Sequence, residues 1–248
     1  MRLRWGSAII LLLWCSSSLA QCPAGLRLPY NSSWLPYVEV TDEQVKGQDI
    51  DFIRQLLSAI PSELQLLQLP ESRALYQLKS GEVDFLFAAS YTKERADYAW
   101  FSVPYRSEVN VVLVHQAVLQ QYPQLTDKAA FFALASRKLV GTFNPKGFYG
   151  LEFEQLKQLP MVQQRSVAIF DADQRLELVL SQRADYTLVD QAAWRHSAGT
   201  VPAYQHLVQL PFELYRTEVH LMFSKKTVTA PCVDLINRHI GALSSTRR

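Results

Sequence analysis

The segment Ser90-Tyr91-Thr92-Lys93-Glu94-Arg95 puts two aliphatic hydroxyls and a guanidinium within six residues. A guanidinium can hold a carboxylate through two parallel charge-assisted hydrogen bonds, which fix orientation as well as charge. Thr92 is a good N-cap, and a helix starting there turns free backbone N–H groups toward an anion. Ser90 offers a hydroxyl and an N–H just ahead of it. The same residues also admit a purely structural arrangement, a capped helix with Arg95 paired to Glu94 or Asp97. Two aromatics near the start of the chain, Tyr30 and Trp34, can stack on a ligand or fill a core.

Other chemistries lack their residues. The sequence holds no Gly-x-Ser-x-Gly elbow, no P-loop and no His-Glu-x-x-His. The five histidines, His115, His196, His206, His220 and His239, lack metal-ligand spacing and read as surface or capping residues. No metal and no cofactor is expected. A hydrophobic fraction of 48% against 19% charged residues suits a folded globular chain. With 25 basic and 23 acidic residues and no Lys/Arg run, there is no electrostatic footprint for nucleic acid or an anionic membrane.

Residues 1–20 read as a secretory leader. Arg2 and Arg4 make a positive start, Ala8 to Trp14 an apolar stretch, and Ser18-Leu19-Ala20 a small-residue site with cleavage after Ala20. A membrane anchor is the rival, but the apolar run is far below the ~20 residues a spanning helix needs. Losing Arg2 and Arg4 leaves 23 basic against 23 acidic residues, a neutral exported protein expected in the periplasm. Cys15 leaves with the leader, and Cys22 and Cys232 remain. In an oxidising compartment two cysteines are expected to form one disulfide. Leu19-Ala20-Gln21-Cys22 also resembles a lipoprotein cleavage box, which keeps lipidation of Cys22 open.

Positioning these residues falls to short apolar strands alternating with amphipathic helices, the rhythm of an α/β fold. Strands are expected at 26–28, 64–69, 83–88, 109–114, 139–142, 166–170, 186–189 and 219–223. Helices are expected at 49–60, 72–78, from Thr92 to Arg95, at 150–158, 173–181 and 232–243. In the first helix Ile50, Ile53, Leu56, Leu57 and Ile60 share one face. Leu78 to Leu86 and Leu180 to Leu188 echo one another as helix end, turn, Asp and strand, which two similar lobes would explain.

From Trp34 to Tyr105 the order of motifs resembles the bacterial extracellular solute-binding proteins, family 3. The matching pieces are Trp34-Leu35-Pro36-Tyr37, Gly47-Gln48-Asp49-Ile50-Asp51-Phe52, Gly81-Glu82-Val83-Asp84-Phe85, and Ser90 to Arg95 followed by Phe101-Ser102-Val103-Pro104-Tyr105. The resemblance implies an α/β, two-lobed periplasmic-binding-protein fold of type II. Val109–Val114 and Val219–Phe223 would be the two crossover strands forming the hinge. Lobe one would be residues 21–113 plus 220–248, and lobe two 114–219, with Cys22 and Cys232 in the same lobe. A small polar ligand, an amino acid or related metabolite, would sit between the lobes at the carboxyl ends of strands.

In that setting Arg95, Thr92 and Ser90 would take the ligand's carboxylate, and Thr142 would reach the same group from lobe two and reward closure. Asp190 would take the ligand's ammonium, or simply cap the helix that follows. Arg73 is at a position where similar proteins often place an arginine facing the cleft, although a solvated surface arginine fits equally. The implied partner is the inner-membrane permease of an ABC importer, and the implied state is a monomer. A ligand-sensing module for a signalling partner is an alternative. So is a cyclohexadienyl-dehydratase-like enzyme, for which Glu152 and Glu213 are the lobe-two acids to nominate.

Overall fold

The structure, a computed structural model, describes residues 22–246; the expected leader and its cleavage point lie outside them. The chain begins with β1 (Gly25–Tyr30), pairs β2 (Glu39–Val40) with β3 (Val45–Lys46), and enters α1 (Gln48–Leu57). Then come β4 (Glu63–Gln68), α2 (Glu71–Ser80), β5 (Phe85–Ser90), α3 (Lys93–Tyr98) and β6 (Ala99–Phe101). The long β7 (Arg106–His115) leads to α4 (Gln116–Gln121), α5 (Lys128–Ala135) and β8 (Gly141–Phe143). After it lie α6 (Leu151–Lys157), α7 (Pro160–Arg165), β9 (Val167–Ala168), α8 (Ala172–Leu180), β10 (Tyr186–Asp190) and α9 (Gln191–Ser197). A 3-10 turn (Pro202–His206) and β11 (Leu207–Gln209) return the chain through β12 (Tyr215–Ser224) to α10 (Ala230–Thr246).

The local reasons are mostly those expected. Ile50, Ile53, Leu56 and Leu57 are all buried along α1. That helix stops at Leu57 rather than running on to Ile60; a turn carries Ile60 into the same core, where it is 7% exposed. Thr92 caps α3, its hydroxyl accepting the Arg95 N–H at 3.2 Å. His115 caps α4 through Nδ1, which accepts the Ala117 N–H. The strands β2, β3, β6 and β11 and the helices α4, α5 and α7 carry no periodicity that the sequence made visible, because each is short.

Two strands organise the sheet, whose order is β5-β12-β7-β10-β8-β9. β7 and β12 pair antiparallel from Arg106↔Val219 to Asn110↔Tyr215. Beyond Asn110, β7 pairs with β10 and β11. Beyond Val219, β12 pairs with β5 and β6. Each strand therefore spends one half in each side of the molecule. The apolar cores divide the same way. One set gathers residues 22–105 and 221–243, with Ala193 as the sole visitor among the described residues, and the other gathers residues 112–214. This is the α/β, two-lobed architecture with two crossing strands.

Cys22 and Cys232 form the expected disulfide, with Cα atoms 4.9 Å apart. It fastens the start of the described chain to α10 and occupies the Cys22 sulfur, which leaves no thiol there for a lipid. Among the described residues no helix is long and apolar enough to cross a membrane.

Candidate functional site

A cleft of about 420 Å³ lies between the two halves, within the size range of small-molecule sites. Its first wall is the carboxyl end of β5. Ala88 adopts a left-handed φ of 51°, and its N–H is held by the Tyr105 hydroxyl at 3.1 Å. Strain of this kind in a non-glycine residue concentrates at binding sites. The register of β12 on β5 shifts at the same place, between His220 and Met222. Beyond the bend, Ser90 faces the cleft and α3 brings in Arg95.

Arg95 makes no ion pair with Glu94 or Asp97. Its Nη1 donates to Ser90 O at 3.0 Å, and its Nη2 reaches across the cleft to Lys146 O at 2.8 Å. Burial pulls the guanidinium below its ordinary pKa, with Tyr98, Glu94 and Glu154 opposing. Both carbonyl partners are neutral, so a carboxylate would be a stronger acceptor for the same donors. The Lys146 carbonyl belongs to the loop Asn144-Pro145-Lys146-Gly147, where the Asn144 side chain also donates to Glu71 of α2. The loop thus meets the first wall at two points.

The opposite contribution comes from the carboxyl end of β10. Asp190 is 7% exposed, and its Oδ1 accepts the Ala193 N–H at 2.8 Å and the Tyr37 hydroxyl at 2.9 Å. It is therefore a helix cap and a cleft-lining carboxylate at once. Burial raises the Tyr37 pKa, with Arg106 opposing and Asp190 adding, so the phenol stays a donor.

Beneath the cleft lies a buried ion cluster on the crossing strand. Arg106 Nε and Nη2 grip the two oxygens of Asp49, each at 2.8 Å, and the Tyr105 hydroxyl adds a third bond at 2.9 Å. The guanidinium also stacks over the Tyr37 ring at 3.7 Å. Burial opposes its charge, but Tyr105, Glu108 and Asp49 outweigh that and raise its pKa. Glu108, two residues along β7, faces the cleft. Burial, opposed by Arg106 and reinforced by Asp190 and Asp49, pushes its carboxyl up to about 7.

Of the residues singled out from sequence, Tyr30, Trp34, Ser90, Arg95 and Asp190 line this one cleft. Trp34 packs on Tyr37 and Phe87, with centroids 4.6 and 6.4 Å apart. Three candidates lie elsewhere. Thr92 acts as the α3 cap and is not in the lining. Thr142 is fully buried, with its hydroxyl spent on Val167 O at 2.9 Å, because β9 pairs beside it. Arg73 sits on the exposed side of α2. The two nominated acids are also displaced. Glu152 pairs with Lys128 and Glu213 with Arg216 on the surface, and neither reaches the cleft.

The cleft residues not singled out include Glu108, Asn110 and Arg175. A signal for the first two existed. Arg106, Glu108 and Asn110 stand at alternate positions near the start of a strand whose middle, Val111 to Val114, is apolar, and that spacing places them on one face. Among the described residues no group of His, Cys, Asp and Glu is arranged to hold a metal ion. A second depression, about 570 Å³ beside Ala24, Leu57 and Gln65, is open and has Glu63 as its one ionisable residue.

Comparison with known proteins agrees with the fold. The sequence profile of the bacterial extracellular solute-binding proteins, family 3, matches residues 26–245. No curated protein matches the chain. Among solved structures, AbpA from Streptococcus pneumoniae bound to L-arginine, a substrate-binding protein of an amino acid ABC transporter, is 18% identical over 90% of each chain, with a TM-score of 0.71. A histidine kinase sensor domain with similarity to periplasmic binding proteins is 15% identical over 90% of this chain and 91% of its own, with a TM-score of 0.74. AncCDT-1, an ancestral amino-acid-binding protein and precursor of cyclohexadienyl dehydratase, is 16% identical over 90% of each, with a TM-score of 0.71. At these identities the likeness is one of fold.

Proposed function

Because the chain belongs to the bacterial extracellular solute-binding proteins, family 3, we propose that it is a periplasmic capture protein for an amino acid or related metabolite, serving the permease of an ABC importer. Lobe one, residues 21–113 plus 220–248, and lobe two, residues 114–219, close on the ligand about β7 and β12. The observation that carries this reading is one cleft holding a guanidinium and a carboxylate at strand carboxyl ends, Arg95 after β5 and Asp190 at the end of β10. Arg95 takes the carboxylate in place of the Ser90 and Lys146 carbonyls. Asp190 takes the ammonium through the oxygen that Ala193 and Tyr37 leave open. Trp34 and Tyr30 supply an aromatic wall. The protein acts as a monomer, captures without turnover, and signals its closed state to its partner by population shift.

A thermal-shift screen of residues 21–248 against amino acids, polyamines and small organic acids tests this. A ligand at ~100 times its dissociation constant adds roughly 2.7 kcal/mol, which should raise Tm by about 5–10 °C for a chain of this size. The rise with α-amino acids should vanish in Arg95→Ala. Stabilisation by none of the three classes would overturn the reading.

A second reading draws on one observation, the buried Glu108 carboxyl facing the cleft with its pKa at about 7. A group held near neutrality is what general-acid elimination chemistry needs. Turnover of prephenate or arogenate by the purified protein, lost in Glu108→Gln, would establish that role in place of capture.

A further inference from the structure

Alternate residues of a strand share a face, so Arg106, Glu108 and Asn110 project together from β7. Asp190 is the register partner of Asn110 across the β10–β7 pair and projects on the same side. Glu108, Asn110 and Asp190 all line the cleft. Glu108 is only 9% exposed. Its Oε1 forms an ion pair with Arg106 Nη2 at 2.8 Å but meets no well-directed hydrogen bond, and Arg106 Nη1 is buried without a hydrogen-bond partner as well. Arg106 has already committed Nε and Nη2 to Asp49.

The cluster thus sets three carboxylates, on Asp49 of α1, Glu108 of β7 and Asp190 of β10, against the single guanidinium of Arg106. Tyr37 and Tyr105 face it as neutral hydroxyls, bonded to Asp190 and Asp49. Burying several carboxylates with one cation leaves charge uncompensated, and a buried carboxyl answers that condition by holding a proton. The pKa of Glu108 near neutrality agrees with this placement.

We propose that Glu108 contacts the ligand and that the cleft works by exchange: the free protein holds a proton on Glu108, and the ligand's ammonium replaces it between Glu108 and Asp190. The proposal rests on the reading of this cleft as the site for an amine-bearing ligand. The exchange balances. One O–H bond breaks, its proton passes to solvent, and the ammonium brings in the one positive charge that left. The cluster carries the same net charge before and after. The ligand class follows, a protonated amine such as an α-amino acid or an alkyl diamine. Neutral sugars and dicarboxylates bring no positive charge to replace that proton. Because binding releases a proton, affinity rises with pH by up to about tenfold per unit below the Glu108 midpoint and levels off above it.

Isothermal titration calorimetry with L-arginine, L-leucine and putrescine, in buffers of unequal protonation enthalpy, tests the exchange. About one proton should be released per amine bound at about pH 6, falling toward none at about pH 8.5. Glu108→Gln should abolish the release and weaken binding about tenfold or more. A measurement on the free protein stands apart from any ligand. ¹³C NMR of glutamate-carboxyl-labelled protein should show one carboxyl titrating near neutrality, absent in Glu108→Gln. A Glu108 that titrates with the ordinary carboxylates overturns the inference. Amine binding with no proton release, or unchanged in Glu108→Gln, overturns it while leaving the capture reading standing. If none of the three amines binds, the exchange falls, and the wider thermal-shift screen decides the capture reading.

Discussion

Asp84 shows how one residue can be conspicuous in a motif and still conceal its task. It is 2% exposed and accepts the Arg27 backbone N–H at 2.8 Å, Nε at 2.7 Å and Nη2 at 2.8 Å. Burial works to raise its pKa, but the Arg27 hydrogen bonds outweigh that and hold it below the usual carboxylate range. A folded-state pKa below the unfolded one gives stability that is present above about pH 4 and lost as pH falls through the folded value. Arg27 keeps 34% of its side chain in solvent, so the pair contributes less than a fully buried one. Asp84→Asn is expected to cost about 2–3 kcal/mol at neutral pH. Urea unfolding at about pH 7 and about pH 3 checks the sign, since the gap between variant and wild type should shrink in acid. A gap that stays constant would mean that Asp84 contributes through packing alone.

At the scale of the element, α1 depends on the residue that precedes it. Gly47 has φ 119°, a conformation that L side chains rarely adopt, and an added Cβ would meet Tyr37 O at 2.5 Å. The backbone there cannot give way cheaply, because Asp49 N donates to the same Tyr37 carbonyl at 3.1 Å. Gly47→Ala is therefore expected to cost about 2–4 kcal/mol. Gly199→Ala, where nothing lies within 4 Å of the new methyl, should stay within about 0.5 kcal/mol. Equilibrium unfolding of the two variants compares them directly, and equal losses would rule out strain at Gly47 as the cause. Because α1 delivers Asp49 to Arg106, strain at Gly47 should also weaken amine binding.

At the scale of the molecule, three side-chain hydrogen bonds among the described residues cross the cleft: Tyr37 to Asp190, Arg95 to Lys146 O, and Asn144 to Glu71. Closure is thus linked to the groups that would meet the ligand. The disulfide acts on a different scale. It joins residues 210 apart in sequence, and neither cysteine lines the cleft. In the chain-entropy picture such a loop contributes about 5 kcal/mol by restricting the unfolded chain. Reduction should lower the unfolding free energy by up to that amount and leave ligand affinity within about twofold, since the folded state is little altered. Urea titrations and calorimetry with and without dithiothreitol measure both, and a large loss of affinity would show that the bond shapes the cleft.

The amino-acid sequence alone determined the alternation of elements, the face of α1, the cap at Thr92, and the pairing of the two cysteines that remain after residue 20. These are properties of neighbours a few residues apart or of composition, and periodicity and residue type record them. The motif around Ser90 and Arg95 also pointed to the cleft. Only the tertiary structure decided what shares that cleft. Asp49, Arg106 and Glu108 come together because β7 passes beside α1, and Asp190 joins them through its register with Asn110. Thr142 carried the same hydroxyl as Thr92 and ended buried, because β9 pairs with β8 and takes its hydrogen bond. A side chain's burial and partners depend on strands and helices arriving from distant parts of the chain, and local spacing holds no record of them.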